Sequence, residues 1–63
     1  MNDRDCWTCD AMERYGGSFI KALSAAARAA DAENLIKIKT AFAEAWKKYE
    51  TMGLDLENEN QGE

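Results

Sequence analysis

Were residues 18–52 a single straight helix, its two halves would turn their apolar stripes toward nearly opposite sides. Phe19, Leu23, Ala26 and Ala30 follow 4-3-4 spacing, whereas Leu35, Ile38, Phe42, Ala45, Tyr49 and Met52 follow 3-4-3-4-3. Carried forward at helical pitch, the first stripe lands on Glu33, Lys37, Thr40 and Glu44, all of them polar. A straight helix would solvate one stripe while burying the other. The chain is therefore expected to turn back on itself at Asp31 and to bury both stripes in a compact α-helical domain.

Composition agrees with helix throughout. The 63 residues include no proline and no valine, and alanine, leucine, glutamate and lysine dominate the middle of the chain. Three helices are expected, at about residues 4–15, 19–30 and 32–52. Early aspartates suit the start of the first, and Trp7, Ala11 and Tyr15 at i, i+4 and i+8 would form its buried edge. Gly16-Gly17 is expected to close it in the left-handed conformation, with Ser18 capping the second helix and Asp31 the third. Gly53 would stop the third helix, with Leu54 folding back over its end. The expected fold is all-α: an antiparallel hairpin of the second and third helices, with the first packed across it in a single domain, 1–54.

Only Lys21, Ser24 and Arg28 are polar on the second helix, and they share one narrow strip. The wide apolar arc that remains needs more than one neighbour, which makes this helix central. Small residues at Ala25 and Ala29 would let another helix approach, and so short a chain stands near the limit of what one core supports. A homo-oligomer is expected.

The net charge of −4 sits at one end. Residues 1–54 carry eight acidic and eight basic side chains, so Asp55, Glu57, Glu59 and Glu63 supply the whole excess. Residues 55–63 read as a disordered acidic tail that keeps the chain soluble. No apolar run approaches the ~20 residues that span a bilayer, and the acidic start lacks the basic region of a signal peptide. A cytoplasmic protein without membrane contact is expected. Lys37, Lys39, Lys47 and Lys48 form a modest basic strip, but Glu33, Glu44 and Glu50 interleave with it and argue against nucleic acid.

Cys6-Trp7-Thr8-Cys9 is the one motif with a chemical name. Asp3, Asp5 and Asp10 surround it and oppose a reactive thiolate, and a βαβ redox scaffold cannot be built from this chain. A zinc site would take four ligands, and without any histidine Cys6 and Cys9 would need a second chain to complete it. Ordinary reduced cysteines are the favoured reading, with a zinc- or disulfide-linked dimer as the alternative. The lack of histidine also removes serine–histidine and cysteine–histidine catalysis, and Gly16-Gly17 lacks the strand and lysine of a phosphate loop. No catalytic residue, metal site or cofactor is identified, and the protein is read as non-enzymatic.

Ile36, Ala43 and Trp46 lie at the edge of the third helix's apolar stripe, where a tryptophan suits a partner-binding surface. The stretch Tyr15-Gly16-Gly17-Ser18-Phe19-Ile20-Lys21-Ala22-Leu23, followed by Ala30-Asp31, Asn34-Leu35, Ile38-Lys39, Ala41-Phe42, Trp46 and Tyr49, resembles short uncharacterised proteins of bacteriophages and prophages. The resemblance covers about residues 13–52. It implies a bacterial host cell and a small accessory protein acting on a host or defence component. The expected function is a non-catalytic protein-binding module, such as a phage-encoded inhibitor or adaptor with an unidentified protein partner. An acidic DNA mimic is a further alternative.

Overall fold

A computed structural model describes the backbone of residues 1–61 and the side chains of residues 1–55. Most of the expected acidic tail, residues 55–63, therefore lies outside the side chains described. Among the described residues there are four helices and no strand: α1 (Asp3–Tyr15), α2 (Ser18–Ala29), α3 (Ala32–Ala41) and α4 (Ala43–Gln61). The all-α class holds. The number of helices does not, because the expected third helix is divided at Phe42.

Local chemistry explains the starts of the helices. The Asn2 side chain caps α1 by accepting from the Asp5 N–H at 2.8 Å, with Asp3 and Asp5 in the first turn where the helix dipole favours them. Asp31 caps α3 in the same way, accepting from Asn34 N–H at 2.8 Å, so the break expected there is present. Ser18 is not a cap: it is already the first residue of α2, Gly17 takes the capping position, and no side chain bonds the free N–H groups.

The glycines act differently from the expectation. None of the glycines among the described residues has positive φ; Gly16 is extended at φ −84° and ψ 159°. What this position requires is space, since a Cβ on Gly16 would lie 2.6 Å from the Met12 carbonyl oxygen and collide with Ile20 Cγ2. Gly53 does not stop the helix either, for α4 runs through it to Gln61. It is buried where α4 crosses α1, and a Cβ there would meet the Trp7 carbonyl carbon and oxygen at 2.7 Å and the Thr8 nitrogen at 2.9 Å. An absent side chain thus permits backbone-to-backbone approach of two helices.

That contact reorganises the fold. The central helix is α1, which packs most extensively on α4 and next on α2, while α2 and α3 share little surface. The hairpin of the second and third helices is therefore not the main packing unit. The core consists of Cys9, Ala11 and Met12 of α1, Leu23 and Ala27 of α2, and Trp46 and Tyr49 of α4. Trp7, Ile20, Leu35, Ile38 and Met52 pack against it while half-buried. Tyr15, expected on the buried edge of α1, is instead exposed, and so is Phe19 at the start of α2. The inward face of α2 is Ile20, Leu23, Ser24 and Ala27, displaced around the helix from the 4-3-4 stripe. Ser24 can take an inward position because its hydroxyl finds acceptors on α1.

Candidate interaction surface

The short helix α3 separates a tight part of the molecule from an open one. Although it carries Leu35, Ile36 and Ile38, it contains no fully buried residue. Leu35 and Ile38 reach the core only partly, while Ile36 is 64 % exposed. At its end the backbone of Phe42 leaves helical geometry, at φ −119° and ψ 42°. The Phe42 ring is 38 % exposed and meets that of Phe19, 60 % exposed, edge-on with centroids 5.6 Å apart. Such a pair contributes about 0.5–1.5 kcal/mol beyond its area, and it links the start of α2 to the α3–α4 joint.

The residues expected to form a partner surface are divided by this arrangement. Ile36 and Ala43 are exposed. Trp46 is only 4 % exposed, which makes it a core residue rather than a contact residue. Its amphipathic edge position pointed outward only while the helix was taken as straight; the bend at Phe42 and the proximity of α1 bring it inside. Its indole Nε1–H has no hydrogen-bond partner among the described residues, so bulk rather than polarity suits it to the place.

Lys39 also faces inward. Its Nζ donates to Asp5 Oδ1 at 3.1 Å and lies 5.6 Å from the centre of a Trp46 ring. Because the Asp5 side chain is 5 % exposed, this ion pair is the buried charge contact that ties α3 to α1. Lys39 is thereby withdrawn from the basic strip read from the sequence, and Lys48 stands 5.4 Å from the Tyr49 ring centre. The missed signal was the pairing of Asp5 with a lysine 34 positions away, which no local pattern contains.

On the other side of α1, Arg28 bridges two carboxylates, with Nη2 2.7 Å from Asp10 Oδ1 and Nε 2.8 Å from Glu13 Oε2. Buried Ser24 lies 3.1 Å from the same Glu13 oxygen and 3.2 Å from the Cys9 carbonyl, so one hydroxyl proton serves two acceptors. Hydrogen bonds from Arg28, then from Ser24, hold the Glu13 carboxyl below its usual range. The whole network joins α2 to α1.

Both cysteines are free thiols within α1, Cys6 half-buried and Cys9 buried. Burial pushes the Cys9 thiol up, against the opposing effects of Arg28 and the Ser24 hydrogen bond. It is a protonated packing residue at neutral pH, and a weak nucleophile for that reason. Among the described residues no three or more histidine, cysteine, aspartate or glutamate side chains converge on a metal position, and no helix is long and apolar enough to cross a membrane.

No protein-family model, curated protein or solved structure matches this chain.

Proposed function

We propose that this protein is a non-catalytic protein-binding module whose working surface is the α2–α3 side. The observation that supports this reading is α3 itself, an amphipathic helix with no buried residue, flanked by the exposed Phe19–Phe42 pair. Exposed single apolar residues are ordinary. A helix that leaves its isoleucine in solvent beside two partly exposed aromatic rings is a surface suited to covering by another protein. Ile36 and Ala43 remain in the proposed contact set, joined by Phe19 and Phe42; Trp46 supports it from within. The resemblance to small phage and prophage proteins supplies the setting, an inhibitor or adaptor acting on a bacterial host or defence protein.

The test compares wild-type protein with Ile36→Glu and Phe19→Asp as baits in a bacterial extract, followed by titration calorimetry with the purified captured protein. Loss of binding in both variants, with thermal midpoints preserved, is the expected result. Equal binding by all three proteins would defeat the reading.

A further inference from the structure

The division of the 32–61 segment into two helices at Phe42 has no proline, glycine or serine at the joint to cause it. Sharp helix breaks ordinarily occur at proline, at glycine or serine pairs, or where a side chain or water enters the hydrogen-bond ladder. Here the local sequence is Thr40-Ala41-Phe42-Ala43-Glu44, rich in good helix formers. Hydrogen bonds of helical spacing reach the joint from both sides: Phe42 N–H donates to Ile38 C=O at 3.0 Å, and Trp46 N–H to Phe42 C=O at 2.8 Å. The backbone of one residue is what separates α3 from α4. Across it runs the unbroken 3-4-3-4-3 stripe Leu35, Ile38, Phe42, Ala45, Tyr49 and Met52.

We propose that Phe42 is a hinge through which two copies of the chain exchange α4, forming a dimer in which α3 and α4 are one continuous helix. The 10 residues of α3, Phe42 and the 19 of α4 would then span about 45 Å at 1.5 Å each, more than the 35 Å long axis of the bent molecule. The 13 residues of α1 reach about 20 Å, so a single chain cannot cover the straightened stripe. A second copy can. Each α4 would keep the same contacts, Trp46 and Tyr49 in the core and Gly53 on the Trp7–Thr8 backbone, but against the α1 of the other chain. The Asp5–Lys39 ion pair would stay within each chain, because α1 and α3 lie on the same side of the hinge. Exchange thus restores the principal interface and adds contact between the two Leu35–Ile38–Phe42 segments, and hinges this short favour it.

The bent form is held by the Phe19–Phe42 contact, which straightening would separate. Phe19→Ala is therefore expected to strengthen dimerisation roughly tenfold, since each of two chains loses an aromatic pair. Ala43→Gly, which disfavours a continuous helix across the joint and leaves the Phe19–Phe42 pair intact, is expected to weaken it. Light scattering on purified protein across a micromolar-to-millimolar series measures both. Chains with and without ¹³C, unfolded and refolded together, then show whether the Trp7–Gly53 proximity is between chains in isotope-filtered NOE spectra. Interchain Trp7–Gly53 cross-peaks in the dimer are the expected result. Monomers at millimolar concentration for both wild type and Phe19→Ala, or a dimer with that proximity inside one chain, would overturn the proposal. Phe19 and Phe42 belong to both proposals, whereas Ile36 takes no part in the exchanged contact; Ile36→Glu in the capture assay and these partner-free dimer measurements therefore fail separately.

Discussion

The α1–α4 crossing and the α3 helix are built from similar residues yet stand at opposite ends of packing. Around α1, Met12, Cys9 and Trp46 are enclosed, and where α4 crosses it Gly53 brings two backbones together; on α3, no residue is fully enclosed. Apolar content does not account for the difference. What distinguishes the crossing is shape: Gly53, with no side chain, lets the axes approach, while Trp46 and Tyr49 of the same helix are enclosed in the core. Alpha3 has capping and periodicity of its own, but only partial neighbours. Buried side chains are concentrated in the first region, and exposed apolar surface in the second.

Truncation gives the largest contrast. Met12→Ala removes a fully buried side chain and should cost about 2–5 kcal/mol in chemical denaturation. A value below about 1 kcal/mol would break the comparison by showing that the core around α1 is loosely packed.

Gly53→Ala sharpens it further. In an ordinary helix interior this change stabilises by about 1 kcal/mol. Here the new methyl meets main-chain atoms of Trp7 and Thr8, and a net loss of about 1–3 kcal/mol is expected from the same denaturation measurement. A gain in stability would mean that the helices do not approach so closely.

Asp31→Ala should cost about 1 kcal/mol, because the Asn34 N–H loses its acceptor. Circular dichroism should show the accompanying loss confined to a small share of the helical signal, since α3 supports little of the core.

The Glu13–Arg28 pair predicts a modest acid effect. Its folded carboxyl titrates below the ordinary value of 4.5, so its contribution is present above that pH and is lost as pH falls through the lowered value. Such exposed pairs contribute under about 1 kcal/mol. Glu13→Gln should therefore lose less thermal stability than wild type on passing from neutral to acid solution, and the difference should shrink in high salt.

Ile36→Glu should have the smallest effect on the isolated chain, within about 0.5 kcal/mol, because the side chain is already in solvent. A large loss in thermal melting would place α3 among the packed elements and remove the contrast.

The amino-acid sequence by itself determined what depends on neighbours within one turn. Helical composition, the Asp31 cap and the amphipathic spacing of each segment are local matters, and all-α architecture with a break at Asp31 follows from them. The tertiary structure decided which faces meet. On helices rich in alanine, apolar arcs are wide, so turning a helix by one residue exchanges Phe19 for Ile20 at little local cost. That choice depends on the shape of the opposing helix. The role of Gly53 was hidden for the same reason: a glycine that ends a helix and one that seats another backbone look alike until both helices are in place. Likewise the bend at Phe42, the enclosure of Trp46 and the Asp5–Lys39 pair arise from contacts across long separations in the chain, which local spacing does not encode.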